Sequence, residues 1–169
     1  YLTGKTRDVN SVEMTVKRTS YHHGNLREAV IDTAWRIILE QGADKLSLRG
    51  CARAAGVDPA AIYQHFKSRE AILEEVARMG FSQLADLMEK HESTAGAEPR
   101  AKLIALGVTY VTYAVANPQL FNVMFKQSGM SSSGATRGVS QTGRDPYEIL
   151  NDAWTRFSGS TMQDPNATS

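Results

Sequence analysis

The chain has 169 residues, 41% of them hydrophobic and 22% charged, with a formal net charge of +1. Those totals fit one globular domain, or a small domain joined to a modest second one, and exclude both a disordered chain and one that holds nucleic acid by bulk charge. No apolar run approaches the roughly 20 residues of a membrane helix, and Tyr1 to Ser20 lacks the apolar stretch of a secretory leader, so a cytoplasmic protein without membrane contact is expected.

Residues 1–20 are expected to be a flexible basic arm or a tag. From Asn25 the chain becomes helical, because Leu26, Ala29, Val30, Thr33, Ala34, Ile37 and Ile38 recur at the spacing that lines one helix face. Gln41-Gly42 supplies the glycine that ends it. Ser47 is positioned as the N-cap of a short helix through Leu48, Ala52 and Ala55, which Gly56 interrupts. Asp58 is a second cap, with Pro59 at the first helical position, where its missing N–H is not needed. That helix carries Ile62, Tyr63 and Phe66. Ser68 then caps a longer helix with Ile72, Leu73, Val76, Ala77, Phe81, Leu84, Leu87 and Met88 on its apolar side.

After His91 the composition softens into a loop, and Arg100 to Asn117 predicts another helix, broken by Pro118. A short helix over Gln119 to Lys126 is apolar almost all round and is expected to be buried. The stretch 128–145, rich in Gly, Ser and Thr, reads as a flexible loop. A last helix is expected from Pro146 to about Phe157, followed by a polar tail.

Two short helices joined by a glycine turn, on the platform of a longer one, describe a helix-turn-helix. Its second helix fits the roughly 12 Å major groove. The run from Leu46 to Leu73 resembles the signature of the tetracycline-repressor (TetR) family of regulators: Ala55-Gly56-Val57 is similar to that family's turn, Tyr63-x-His65-Phe66 to the end of its recognition helix, and Lys67-Ser68-Arg69-Glu70-Ala71-Ile72-Leu73 to the start of its fourth helix. Tyr21-His22-His23-Gly24-Asn25-Leu26-Arg27 is similar to the opening of one subgroup, and Asn117-Pro118-x-Leu120-Phe121 to a motif in that subgroup's ligand domain.

The resemblance implies an all-α protein: a three-helix, helix-turn-helix DNA-binding domain at 21–67, then a helical ligand-binding and dimerisation domain at 68–169. It implies a sequence-specific transcription regulator, a repressor released by a small apolar effector, acting as a homodimer on a palindromic operator in double-stranded DNA. Pro59, Ala60, Ala61 and Gln64 would face base edges, with Gln64 able to pair with adenine. Tyr63, His65 and Lys67, with Ser47 and Arg49 on the preceding helix, would contact phosphates, which position the protein without reading sequence. Lys17 and Arg18 extend that role into a basic arm.

Other readings stand beside these. Tyr63 packs on the first helix, or His65 is an exposed polar residue, or Arg49 and Arg53 form a solvated face. His22 and His23 are not a metal pair, since adjacent residues on a helix do not face each other and no third ligand is near. Cys51 reads as a small buried hydrophobe. Phe81, Leu84, Met88, Leu103, Tyr110, Tyr113, Phe121 and Met124 either line an effector pocket or fill an ordinary bundle core. No residues group as a nucleophile with its base, a paired carboxylate or a phosphate loop, so neither catalysis nor a cofactor is expected. Members of the family normally end in two long apolar antiparallel helices. After Ser158 the chain has neither their length nor their period, so either it is truncated or association uses other surfaces, such as the helix from Pro146 and the loop before it. The alternative function is an interaction or adaptor protein that keeps the fold without specific DNA binding.

Overall fold

A computed structural model describes residues 26–130 and 138–159, with side chains described to 127 in the first segment. Seven helices in chain order are α1 (Leu26–Gln41), α2 (Leu48–Ala55), α3 (Pro59–His65), α4 (Arg69–Thr94), α5 (Pro99–Ala116), α6 (Pro118–Met130) and α7 (Pro146–Ser158), and the described residues contain no strand. A 3-10 turn, Ala43–Lys45, follows Gly42, which takes φ 86°, and was not visible in the helical periodicity.

The helix ends form where the caps were expected. Ser47 accepts from the Gly50 amide at 3.1 Å and Asp58 from the Ala60 amide at 2.8 Å. Ser68 accepts from the Ala71 amide at 3.2 Å. Each satisfies an amide that the first helical turn leaves without a partner. Gly56 closes α2 in the left-handed region at φ 68°, a conformation that costs a residue with a Cβ about 1–2 kcal/mol.

Helices α1 to α3 share a core of Val30, Ala34, Ile38, Cys51, Ala52, Ile62 and Phe66. The long α4 leaves this group and becomes the spine of the second half, where α5, α6 and α7 pack on it. Gly80 marks a tight crossing of α4 and α6: a Cβ there would meet Met124 Sδ of α6 at 2.7 Å. The Gly80 carbonyl also accepts from the buried Tyr113 hydroxyl of α5 at 3.2 Å. The small residue thus lets α6 approach α4, and its carbonyl ties α5 to the same turn.

The stretch expected as a flexible loop over 128–145 is different at both ends. It starts inside α6, which continues to Met130, and from 138 it packs on α4. Gly138 lies so close to the Arg78 carbonyl and the Ser82 backbone that no side chain fits there. The Gln141 amide donates to Asp86 at 2.8 Å, and Thr142 to Glu89 at 2.5 Å. Arg144 reaches Glu89 at 2.8 Å, Asp152 at 3.4 Å and Glu92 at 3.6 Å, while Arg156 of α7 meets the buried Glu92 at 2.7 Å. Polar composition suggested solvent, but the polar groups find partners on an acidic stripe of α4 some 55 residues away. Asp145 and Glu148 then open α7 with a reciprocal capping box.

Candidate nucleic-acid interface

The geometry of the two short helices follows from which side of α3 is apolar. Ile62 is fully buried and Phe66 is 2% exposed. The opposite side is therefore turned outward: Pro59, Ala60, Gln64 and His65 are exposed, Ala61 is half-buried, and Tyr63 is 51% exposed. Tyr63 thus stands about half in solvent. Pro59 with Tyr63, and Ala60 with Gln64, stand four residues apart and so form neighbouring rows on the outward side. Two small residues at the start of α3 leave its backbone free to approach another surface closely.

Helix α2 adds Arg49 and Arg53, both exposed and also four residues apart, and Lys67 is exposed just beyond α3. From Lys45 to Lys67 the one acidic residue is Asp58, and its carboxylate is engaged in capping α3. The outer surface of the two short helices is accordingly cationic although the whole chain is nearly neutral. Ser47 is exposed, with its hydroxyl oxygen accepting from Gly50. Lys17, Arg18 and the motif from Tyr21 to Asn25 lie outside the described residues.

Sequence reasoning missed the residues that mount this head on the rest of the molecule. Arg69, the first residue of α4, donates from Nε to the Leu46 carbonyl at 3.0 Å and from Nη2 to the Ala43 carbonyl at 2.8 Å. It thereby holds the segment leading into α2 against the base of α4. Arg27 of α1 pairs with Glu75 of α4 at 3.2 Å and lies 5.6 Å from the centroid of the Phe66 ring. Glu75 also accepts from Arg78 at 2.7 Å. The Arg78 hydrogen bond, aided by Arg27 and opposed by burial, holds the Glu75 carboxyl below its ordinary value. The sequence signal for Arg27, Glu75 and Arg78 was their opposite charge, to which many pairings were open, and the carbonyl partners of Arg69 left none.

The residues expected to line an effector pocket stand in three settings. Leu84, Met88, Tyr113 and Met124 are at most 1% exposed and form core. Phe81, Tyr110 and Phe121 join Phe125 in a ring cluster, with centroids at 5.4 Å for Phe81–Phe125 and 5.5 Å for Tyr110–Phe121, both edge to face. Leu103 is half-buried against the core. A cleft of about 310 Å³ does lie between α4 and α5, lined by Leu87, His91, Ala105, Val108, Thr109, Thr112 and Tyr113, so Tyr113 alone of the expected set borders it. His91 Nδ1 meets the Thr109 hydroxyl at 2.7 Å within it. Burial pushes the Tyr113 hydroxyl pKa far up and that of the Cys51 thiol to about 11, so neither ionises near neutrality. No described helix is long and apolar enough to cross a membrane.

Residues 30–76 match the family model for bacterial regulatory proteins of the tetR family. The chain is 29% identical over 87 residues to the HTH-type transcriptional regulator AcrR of Shigella flexneri, an alignment covering 52% of this chain and 40% of that protein. It is 35% identical over 85 residues to the HTH-type transcriptional repressor KstR2 of Rhodococcus jostii (strain RHA1), covering 49% and 40%. The chain thus spans less than half the length of these two curated relatives. It also resembles the solved structure of a protein with unknown function from Rhodococcus sp. RHA1, with a TM-score of 0.70 and 30% identity over 84% of this chain and 72% of that one.

Proposed function

We propose, from a segment at residues 30–76 that matches the model for bacterial regulatory proteins of the tetR family, that this protein is a DNA-binding transcription regulator of that family whose α3 enters the major groove of an operator. The observation that carries the reading is the division of α3: Ile62 and Phe66 are inside, while Pro59, Ala60, Tyr63 and Gln64 face out, amid the cations Arg49, Arg53 and Lys67. Pro59, Ala60 and Ala61 at the start of α3, with Gln64 one turn on from Ala60, face base edges, since the start of the helix enters the groove in this kind of docking. Gln64 is the base reader, through a paired contact to adenine. Tyr63, His65, Lys67, Ser47 and Arg49 hold phosphates and so set register, with Lys17 and Arg18 reaching the backbone from the arm.

Two copies reading a palindrome place their recognition helices about 34–36 Å apart. The regulator is a repressor, released when a small apolar molecule parts the rings of Phe81, Tyr110, Phe121 and Phe125 and so tilts α4, on which Arg69 and Glu75 hold the reading head. Such release needs the molecule to bind one arrangement better than the other.

Fluorescence anisotropy on DNA from the protein's own upstream region tests this. Tyr63→Ala and Lys67→Ala are expected to weaken binding to every sequence alike, and Gln64→Ala to relax preference at one base pair by about 1–3 kcal/mol. Equal losses from all three variants would overturn the division of roles. Binding that is weak, salt-sensitive and indifferent to sequence in the parent chain would return the adaptor reading.

A further inference from the structure

A cleft of about 530 Å³ lies where the reading head meets the bundle, walled by the end of α1 with the turn after it, by the start of α4, and by one face of α6. That volume falls within the range of small-molecule sites, about 300–1,000 Å³. Gln127 of α6 stands apart among its lining residues. It is 5% exposed, yet among the described residues its carboxamide has no hydrogen-bond partner. No described side-chain nitrogen or oxygen is both unpartnered and sealed from solvent, so the Gln127 amide reaches solvent through the cleft that it lines. Buried amides are ordinarily paired within the protein, and one held open to a cleft is ready for a partner from outside.

We propose that this cleft binds a small uncharged polyol, a sugar of one or two rings, that bridges the reading head and the bundle. Three more carboxamides line it, Gln41 from α1 with Gln119 and Asn122 from α6, and among the described residues these too have no hydrogen-bond partner. A carboxamide both donates and accepts, as a hydroxyl does, so the two match in either orientation. The lining sets Asp44 and Glu70 against Arg69 and Lys126, a balance that favours neither an anion nor a cation. Arg69 is already committed to the Leu46 and Ala43 carbonyls and lies 3.7 Å from Glu70, which leaves Asp44 to accept from the ligand and Lys126 to donate to it. The buried Leu73 and Val123 give a narrow apolar floor for the C–H face of a sugar ring. Among the described residues no aromatic ring lines the cleft, so a nucleobase or a flat apolar molecule has nothing to stack on. An amino acid is the rival of equal net charge, but it gathers its charged atoms around one carbon, whereas the carboxamides are spread over two helices. The cleft shares no residue with the ring cluster of Phe81, Tyr110, Phe121 and Phe125, and its chemistry does not depend on DNA.

Titration of the isotope-labelled 169-residue chain with D-glucose, maltose, D-ribose and myo-inositol, without DNA, tests the proposal through the side-chain amide resonances of Gln127 and Asn122. At least one of the four is expected to shift both amides and to saturate in the millimolar range. Gln127→Leu nearly keeps the volume and removes the amide, so it is expected to weaken that binding roughly tenfold or more, read at Asn122. The melting temperature of this variant is expected to hold or rise, whereas an amide serving the fold would lower it on removal. Asn122→Ala, at the exposed rim, is expected to weaken binding several-fold with the core untouched, and it carries the test where Gln127→Leu fails to fold. Glu74→Gln, exposed on α4 and outside the lining, is the control and is expected to bind as the parent does. No shift from any of the four polyols overturns the proposal, as do shifts that grow without saturating or that persist unchanged in both cleft variants. Saturation by L-glutamine and by none of the polyols overturns it in favour of a zwitterion. A saturable site in a chain that selects no operator upholds the cleft and sinks the regulator reading, and specific operator binding with a cleft that takes no polyol does the reverse.

Discussion

The two ends of the molecule are held together by different kinds of contact. In the reading head, α2 and α3 are each bounded by a residue that caps its own helix three or fewer positions away: Ser47 with Gly50, Asp58 with Ala60. In the second half, structure depends on residues far apart in sequence, such as Tyr113 on Gly80, Arg144 on Glu89 and Arg156 on Glu92. The head is a local device on a small core, and the remainder is a bundle whose pieces define one another. A single long helix, α4, belongs to both, and Arg69 and Glu75 near its start are the joints.

The largest effect that sharpens this contrast is expected at Leu84, fully buried on α4. Leu84→Ala should cost about 2–5 kcal/mol in urea unfolding, through lost burial and the cavity left behind. If hydrogen exchange then rises across α5 to α7 while the amides of α2 and α3 keep their protection, the halves are separable. A uniform rise would join them into one cooperative unit.

Gly56→Val is the complementary local change. The site has open space but a φ of 68°, so the cost is backbone strain of about 1–2 kcal/mol. It should loosen the α2–α3 turn and weaken operator affinity, measured by anisotropy, without altering exchange in α7. Asp145→Ala removes one half of the capping box of α7 at about 1 kcal/mol. Its expected signature is faster proteolysis near 138–146, with the head unaffected.

The smallest effect is in pH. Glu75 is held below the ordinary 4.5 chiefly by the Arg78 hydrogen bond. For Glu89, burial pushes upward, but hydrogen bonds from Thr142, Ser140 and Arg144 outweigh it and the carboxyl is also lowered. A carboxyl whose folded pKa is depressed lends stability that is present above 4.5 and is lost as pH falls through that value toward the folded one. Urea midpoints measured from pH 7 down to pH 3 should therefore fall below about pH 4.5. Glu75→Gln and Glu89→Gln should each flatten part of that fall. A midpoint equally pH-dependent in both variants and the parent would remove these pairs from the account.

The legibility of the molecule follows the same division. Helix caps, turn glycine and apolar period are properties of ten or so consecutive residues, which is why Ser47, Asp58, Pro59 and Ser68 announced the head with its boundaries. The outward direction of Gln64 was legible too, since Ile62 and Phe66 on either side of it had to point inward, whereas Tyr63 was left with two readings. Chain composition misled where long-range partners decide the outcome. Gly138 to Arg144 is polar enough for a loop in water, yet it lies on α4 because Asp86 and Glu89 wait there. The eight residues expected around an effector suit either role, and only packing made four of them core, three of them members of a ring cluster, and Leu103 a half-buried neighbour of the core.

By itself, the sequence determined the all-helical class, the helix-turn-helix with its caps, and the run without charge from Leu103 to Ala116 of α5, because each is written in neighbouring residues. Tertiary structure decided which apolar side chains are enclosed and which acid meets which arginine. Those outcomes depend on how helices distant in the chain approach one another, and the approach is set at places such as Gly80 and Gly138, where the lack of a side chain matters only once the neighbour is known.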